Sequence, residues 1–206
     1  QRQMCIRDSA VTMQAYFKNY NQARRNGARM VVIDPRFNET AAKADEWIPI
    51  VPGTDTALAL GMIKIIIEEN LTDKPFLRAH TGAVYLVNAQ QKLLRQSDDD
   101  QDSYLVFDTL SQQLVHHETP NIVPALTHDE LPANADYVTV FEQIYQQAQP
   151  WTIEKTSQET DIPKETIIRL ARDYATTKPA MIVQNMVNVI CICLLYTSDA
   201  ADDSLR

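Results

Sequence analysis

Apolar side chains near the start of the chain recur at the spacing of one helical face. The stripe consists of Met13, Tyr16, Phe17 and Tyr20. It predicts a helix over residues 12–26, with Thr12 as its N-cap and Gly27 as the residue that ends it in the left-handed conformation. Residues 29–33 are then almost continuously apolar and β-branched, which predicts a strand buried on both faces, as in a parallel sheet.

Further along the chain, apolar runs alternate with turn residues in the order expected of an α/β protein. Short strands are predicted at residues 47–51, 83–87, 104–107, 113–117 and 180–183, the third and fourth pairing as a hairpin. Helices are predicted over residues 58–69, over 138–149 and after Asp161, which is the expected N-cap before Pro163. The buried stripe of that last helix is predicted to be Ile167, Ile168, Leu170 and Ala171. We therefore predict a partial dinucleotide-binding-like (Rossmann-like) parallel sheet flanked by helices, with a small β-containing insertion at about residues 80–137.

The two ends of the chain follow none of these patterns. Residues 1–9 and 191–206 resemble translated sequencing-adapter tails, so we expect residues 10–190 to be an internal part of a longer protein. All three cysteines (Cys5, Cys191 and Cys193) fall in these tails. The absence of cysteine from residues 10–190 excludes a disulfide framework, a thiolate zinc site and a cysteine-ligated iron–sulfur cluster from this stretch.

The charge balance and the apolar runs exclude two classes of partner. The formal net charge is −8 and the isoelectric point is about 4.9, which argues against binding to a nucleic-acid backbone. The longest apolar run, residues 189–196, is far shorter than the roughly 20 residues that a membrane-spanning helix requires. We therefore expect neither a nucleic-acid partner nor a direct membrane span.

An acidic residue, Asp34, follows the strand predicted over residues 29–33. In nucleotide-binding α/β folds, a carboxylate at such a strand end accepts hydrogen bonds from a ribose diol. An Asp before a proline also commonly caps a turn, and the pattern alone leaves both interpretations open. The four glycines of the chain build no G-x-G-x-x-G or P-loop motif, so a phosphate-binding loop is expected before the helix at residues 12–26.

A second candidate feature is the turn Pro52-Gly53-Thr54-Asp55, which leads into a helix. Glycine lets the backbone approach a ligand closely, and the free N–H groups at a helix start favour an acceptor such as phosphate. A carboxylate at this position can accept two hydrogen bonds from guanine, which adenine cannot donate. The alternative is an ordinary helix cap.

No metal site is predicted from the histidines. His116, His117 and Glu118 are adjacent in the sequence, and successive side chains of a strand point to opposite faces of the sheet. These three side chains are therefore expected to converge poorly on one ion.

Two segments around these candidate residues resemble a known family. Residues 28–42 read ARMVVIDPRFNETAA and residues 44–60 read ADEWIPIVPGTDTALAL. The phrases IDPRFNETA, DEWIPI and PGTDTALAL, in this order and spacing, resemble the molybdopterin oxidoreductase family typified by dimethyl sulfoxide reductase. Residues 66–77 and 162–181 are also similar to that family, so that the resemblance covers nearly all of residues 10–189.

The resemblance implies a site for the guanosine end of one molybdopterin guanine dinucleotide. The implied residues are Asp34, Pro35, Arg36, Phe37 and Asn38 in one loop, and Gly53, Thr54 and Asp55 in the turn. Asp34 and Asp55 would serve the ribose and the guanine, in either order, and Arg36 would contact phosphate or a neighbouring acid.

For the whole protein, the resemblance implies two molybdopterin guanine dinucleotides (bis-MGD) that hold molybdenum or tungsten. The implied chemistry is two-electron redox with oxygen-atom or hydroxyl transfer, in the cytoplasm or the periplasm. The metal ligand and an iron–sulfur cluster would lie upstream, so we predict no catalytic or metal-binding residue within residues 10–190. An electron-transfer protein with iron–sulfur clusters is the expected partner.

Two other function classes remain open at this point. One is a structural or electron-transfer relative in a respiratory complex that has lost the pterin. The other is a nicotinamide dehydrogenase domain, which Asp34 alone would permit but the Pro-Gly-Thr-Asp turn does not predict.

Overall fold

The computed structural model describes residues 14–97 and 103–177, together with residues 180 and 182. These residues divide between two compact units, of which unit 2 consists of residues 63–150 and unit 1 of the parts before and after it. Unit 1 contains α1 (Gln14–Arg25), β1 (Val31–Ile33), β2 (Glu46–Ile48), the start of α2 (Asp55–Glu68), α5 (Ile153–Thr160) and α6 (Lys164–Thr176). Unit 2 contains the rest of α2, α3 (Lys74–His80), β3 (Leu86–Asn88), β4 (Leu105–Asp108), β5 (Gln113–His116), β6 (Tyr137–Thr139) and α4 (Val140–Ala148). None of the helices in the described part of the chain has the length and apolar composition needed to cross a membrane.

The first helix agrees with its apolar pattern. α1 covers most of the predicted range, although the expected N-cap Thr12 lies outside the described residues. Gly27 has a φ of +93°, as predicted for the residue that ends the helix. The N–H of Gly27 donates to the carbonyl oxygen of Arg24 at 2.9 Å, and the next N–H donates to that of Ala23 at 3.0 Å. This pair of hydrogen bonds is the Schellman ending, which satisfies the last carbonyls of the helix.

The strands β1 and β2 form a short parallel pair. Their register aligns Ile33 with Ile48 at the carboxyl end. The expectation that residues 29–33 are buried on both faces is wrong, because Ile33 is 38% exposed and the other two residues of β1 are half-buried. β2 ends at Ile48 and does not reach residue 51, because Pro49 has no N–H to donate to a ladder.

A wider Rossmann-like sheet is not confirmed. Within the described residues there are three two-stranded sheets, of which β1–β2 is parallel and β3–β6 and β4–β5 are antiparallel. The strand predicted at residues 180–183 lies for the most part outside the described residues. The structure therefore shows a mixed helix and strand architecture with small sheets.

Residues 153–176 form two helices where the sequence pattern predicted one. The expectation that Asp161 is an N-cap is wrong: its φ is +59°, and it ends α5 in the left-handed conformation. α6 begins at Lys164, and Pro163 occupies the capping position before it. The predicted stripe is buried at three of its four positions, namely Ile167, Leu170 and Ala171.

Four charged side chains form a ring of ion pairs in unit 1. Arg29 contacts Glu46 at 2.5 Å and Asp173 at 3.0 Å. Arg169 contacts the same two carboxylates, Asp173 at 3.4 Å. Arg29 lies just before β1, Glu46 begins β2, and the other two residues lie in α6. The ring therefore holds the parallel pair against that helix.

Replacing Glu46 by glutamine is expected to lower the free energy of unfolding of the intact protein by about 1 kcal/mol. The change leaves two guanidinium groups to share Asp173, and the partial exposure of the ring keeps the effect small. Urea denaturation measures the difference, which should shrink at high salt because exposed charges are screened. Glu165→Gln, an exposed change in the first turn of α6, is the control; equal effects of the two substitutions would contradict a role for the ring.

Helices α2 and α5 approach each other closely within unit 1. A Cβ atom added at Gly61 of α2 would lie 2.5 Å from Oγ1 and 2.7 Å from Cγ2 of Thr156 in α5. Thr156 is fully buried, and its hydroxyl has no hydrogen-bond partner in the described part of the chain. Only glycine at position 61 permits this distance between the helices.

Unit 2 has an apolar core of its own, beneath short antiparallel strands. The predicted hairpin is confirmed with its first strand shifted by one residue, because β4 pairs with β5 from Leu105 opposite His116 to Asp108 opposite Gln113. The buried residues of this core are Val84, Val106, Leu126 and Phe141.

Two elements of unit 2 begin later than the sequence pattern predicted. Residues Gly82–Val84 form a 3₁₀ turn, and the strand follows as β3. The segment predicted as a helix over 138–149 begins with the end of β6, and Thr139 then caps α4. The Thr139 hydroxyl accepts from the N–H of Glu142 at 3.1 Å and donates to the carbonyl oxygen of Leu126 at 2.7 Å.

A buried carboxylate closes the β4–β5 hairpin. Asp108 accepts hydrogen bonds from the N–H groups of Leu110 and Ser111, from the Ser111 hydroxyl, and from the N–H of Val123. The Ser111 hydroxyl first, and then the Val123 N–H, hold the pKa of the Asp108 carboxyl down from 3.8 to about 2.

This lowered pKa predicts an acid-sensitive hairpin. A carboxyl whose pKa is lower in the folded than in the unfolded state adds stability above its unfolded pKa, and this stability is lost as the pH falls from about 4 towards about 2. Urea midpoints of the intact protein across that interval should therefore fall less steeply for Asp108→Asn than for the wild type. Asp136→Asn, an exposed change, is the control, and identical slopes for all three proteins would contradict the prediction.

Candidate functional site

The loop after β1 is organised by the side chain of Asp34. One carboxylate oxygen accepts from the backbone N–H of Arg36 at 2.7 Å, and the other accepts from the Asn38 amide at 3.0 Å. The Asn38 side-chain oxygen in turn accepts from the N–H of Ala41 at 2.8 Å. Asp34 therefore caps the turn, as one of its two interpretations predicted.

Trp47 in β2 supports this loop from the neighbouring strand. Its indole N–H donates to the carbonyl oxygen of Asp34 at 3.0 Å. Its ring meets that of Phe37 edge-on, with centroids 5.3 Å apart and an interplanar angle of 76°. Phe37 is 63% exposed on its other side, so it presents an aromatic surface to solvent beside Asp34.

The second predicted segment forms a tight turn before α2. The carbonyl oxygen of Val51 accepts from the N–H of Thr54 at 3.3 Å and from its hydroxyl at 2.7 Å. Gly53 has a φ of +83°, and the Pro-Gly pair matches the central residues of a type II turn. A Cβ atom at Gly53 would have no neighbour within 4 Å, so the space above this backbone is open.

Asp55 differs from Asp34 in having no internal partner. It is the first residue of α2 and is half-buried, and no hydrogen bond or ion pair reaches its side chain from the described residues. The first N–H groups of a helix also have no partner inside the helix. A carboxylate acceptor therefore stands beside backbone donors at the start of α2.

The two segments leave the same edge of the β1–β2 pair. Asp34 directly follows β1, and its N–H donates to the carbonyl oxygen of Ile48, the last residue of β2, at 3.2 Å. The carboxyl ends of parallel strands lie together, and ligands of open α/β sheets bind outside that edge. The loop of Asp34 to Asn38 thus begins at the carboxyl edge of the pair, and the turn of Gly53 to Asp55 follows the end of β2 after four intervening residues.

The electrostatic character of this edge is mixed. Arg36 is exposed, and its guanidinium has no partner in the part of the chain that the structure describes. Arg36 is therefore a cation within the loop of Asp34 to Asn38 that can bind an anionic ligand. Its predicted alternative, a pair with a neighbouring acid, is not formed with any described residue.

Sequence reasoning did not identify the support that Trp47 gives to the candidate loop. An indole N–H in an otherwise apolar strand requires an acceptor, and this requirement was the available signal.

Within the described residues, no group of three or more His, Cys, Asp or Glu side chains is placed to hold a metal ion.

Comparison with known proteins identifies relatives over most of the chain. A family model described as molybdopterin oxidoreductase matches residues 6–190. A putative dimethyl sulfoxide reductase catalytic chain of Halobacterium salinarum is 41% identical over 111 residues, covering 52% of this chain and 12% of that protein. A probable dimethyl sulfoxide reductase chain of Escherichia coli is 37% identical over 165 residues, covering 79% of this chain and 16% of that protein.

A solved structure shares the fold. Acetylene hydratase from Pelobacter acetylenicus matches with a TM-score of 0.51 and 23% identity over 85% of this chain and 16% of that one. The chain spans only 12% and 16% of the length of the two curated relatives above. On the family match over residues 6–190, the chain belongs to the molybdopterin oxidoreductase family.

Proposed function

We propose that the chain is part of the catalytic subunit of a molybdenum- or tungsten-dependent oxidoreductase and contributes the guanosine end of a molybdopterin guanine dinucleotide site. The observation that carries the proposal is the carboxylate of Asp55, which stands at the start of α2 and has no partner among the described residues. It lies within residues 10–190, which we assign to binding of this cofactor, with an insertion at about residues 80–137.

The residues present at this edge fit a guanosine. Guanine offers two adjacent donors, and the carboxylate of Asp55, which accepts nothing from the described residues, can accept both of them. We therefore assign guanine to Asp55 and the ribose hydroxyls to the carboxylate of Asp34. The open backbone at Gly53 allows close approach of the ligand, as the absence of neighbours around a Cβ atom there indicates.

The phosphate groups fit the donors of the same edge. The Arg36 guanidinium has no protein partner among the described residues, and the first N–H groups of α2 attract an acceptor. Phe37 and Asn38 keep the loop in place, Phe37 by packing on Trp47 and Asn38 by its bond to Asp34.

When bound, the bis-MGD cofactor supplies two-electron redox chemistry at its metal, with oxygen-atom or hydroxyl transfer. Residues 10–190 bind and orient its nucleotide end, and we assign to them neither the metal ligand nor an iron–sulfur cluster. We propose that those groups belong to the preceding part of the protein and that electrons pass through an iron–sulfur partner protein.

The test is to express the intact protein in a host that makes the cofactor and to measure bound metal and released nucleotide. We expect molybdenum or tungsten together with guanine nucleotide. A folded protein that contains neither would contradict the proposal and favour the non-catalytic structural relative. Tight NAD binding without a preference for guanine would instead favour a nicotinamide dehydrogenase.

A further inference from the structure

Unit 2 contains a cavity of about 310 Å³ that no part of the guanosine proposal uses. It lies where the end of α3 and the following 3₁₀ turn meet the residues after β5. Its polar wall includes Arg78, Thr81, Tyr85 and His117, and its apolar floor includes Val84 and Val106. The volume exceeds the roughly 30 Å³ that one water molecule occupies in the liquid, so there is room for a small organic ligand.

Arg78 lines the cavity with a donor that has no acceptor. Its Nη2 donates to Glu130, whose other oxygen accepts from the N–H of Leu126 at 2.7 Å. Glu130 thereby fixes the orientation of the guanidinium. The Nε atom of Arg78 is buried and has no hydrogen-bond partner in the described part of the chain. A buried N–H without an acceptor is destabilising, so this atom favours an acceptor from outside the protein.

His117 lines the same cavity and has a second unpartnered polar atom. Its Nδ1 is buried and forms no hydrogen bond with any described residue. The ring is held by edge contacts with Tyr85 at 5.5 Å and Tyr104 at 6.0 Å between centroids. The neighbouring His116 already accepts from the N–H of Glu118 at 3.2 Å, so the two histidines differ in their hydrogen bonding.

The lining of the cavity favours an anion of limited charge. Arg78, His80 and His117 line it, and no carboxylate of a described residue does, although the whole chain carries a net charge of −8. The charge of Arg78 is balanced by Glu130 on one side, which favours a monoanion over a phosphate dianion. The floor is apolar, because Val84 and Val106 belong to the core of unit 2.

We propose that this cavity binds a short-chain carboxylate. The carboxylate of the ligand accepts one hydrogen bond from the Nε–H of Arg78 and one from the Nδ1–H of His117. The aliphatic part of the ligand packs on Val84 and Val106. The site lies within unit 2, so it is independent of the guanosine site proposed for unit 1.

The test uses acetate as the probe and acetamide as its neutral analogue. Calorimetric titration of the intact protein at constant ionic strength should show saturable binding of acetate and none of acetamide. Absence of saturable acetate binding would overturn the proposal. Equal binding of acetate and acetamide would also overturn it, because the donors would then not be selecting a charge.

Two substitutions locate the binding at these atoms. Arg78→Lys keeps the positive charge near Glu130 but removes the Nε–H, and His117→Phe keeps the aromatic packing but removes Nδ1. Each is expected to weaken acetate binding by about tenfold or more. Arg95→Lys is the matched control, because Arg95 packs on Tyr104 in the same unit and does not line the cavity.

The outcome is distinguishable from that of the guanosine proposal. Metal and guanine nucleotide contents should be unchanged in Arg78→Lys and His117→Phe. If acetate binding survives both substitutions at wild-type strength, the cavity is not the site and the inference is wrong.

Discussion

Replacing Asp55 by alanine is expected to weaken binding of the guanosine end of the cofactor by about 5- to 150-fold. The expected penalty is about 1–3 kcal/mol, because the guanine donors lose their acceptor inside the site. Asp55 has no partner among the described residues, so the substitution removes little that the fold itself needs. The measurement is the metal and guanine nucleotide content of the intact protein, purified in parallel with the wild type.

Two control substitutions separate recognition from folding. Glu165→Ala also removes a carboxylate from the first turn of a helix, α6, and should leave the cofactor content unchanged. Asp34→Ala removes an acceptor from the Arg36 N–H and the Asn38 amide, so it should lower both cofactor content and stability. Unchanged metal and nucleotide in Asp55→Ala would contradict the assignment of guanine to Asp55.

The same variant predicts a loss of base selectivity. Guanine offers two donors to a carboxylate, whereas hypoxanthine lacks the exocyclic amine and offers one. In wild-type protein freed of cofactor, guanosine monophosphate should compete better than inosine monophosphate, and in Asp55→Ala this preference should disappear. A preference that persists without Asp55 would place guanine recognition elsewhere.

The placement of the candidate residues follows from local sequence, but their hydrogen bonds do not. A β-branched run followed by Asp34 and Pro35 predicts a strand that ends at an acid, and the structure has this arrangement. The hydrogen bonds of the Asp34 carboxylate to Arg36 and Asn38 depend on how the next four residues turn, and β propensity contains no information about that turn. The difference between an engaged Asp34 and an unpartnered Asp55 is therefore a result of the structure.

The missed helix α5 shows a second limit of sequence patterns. Its sequence, IEKTSQET, contains one strongly apolar residue, so no apolar stripe indicates a helix. Its buried face is formed by Thr156 and Thr160, and the Thr160 hydroxyl donates to the carbonyl oxygen of Thr156 at 2.7 Å. Both threonines pack as small buried side chains, and a pattern that separates only polar from apolar residues classifies them as surface residues.

The burial of the short strand β1 could not be predicted for a related reason. β1 has three residues, and its outer position Ile33 is 38% exposed although it is strongly apolar. Apolar character predicted burial on both faces, but burial depends on which elements cover the sheet, and these are set by the whole chain. The residue types at the carboxyl edge were predictable, whereas the extent of the sheet behind them was not.

Replacing Gly61 by alanine is expected to lower the free energy of unfolding of the intact protein by up to about 2 kcal/mol. Alanine favours a helix over glycine by about 1 kcal/mol, so an isolated α2 would be stabilised by the change. The new Cβ would lie 2.5 Å from the Thr156 hydroxyl oxygen, and overpacking of this kind typically costs about 1–3 kcal/mol. A fully buried Thr156 has little space into which it can move, so we expect the clash to exceed the gain in helix propensity.

A second substitution tests the contact itself. Thr156→Ala removes the two atoms at 2.5 and 2.7 Å and leaves the Thr156 Cβ, at 3.0 Å, as the nearest atom. The double variant Gly61→Ala with Thr156→Ala should therefore recover much of the loss, with a coupling energy of about 0.5–3 kcal/mol between the two sites. Urea denaturation of the four proteins of this cycle measures it. Additive effects would mean that α2 and α5 do not meet at these residues. Strong coupling would establish that α2, which begins at Asp55, packs against α5 at a distance that only glycine at position 61 allows.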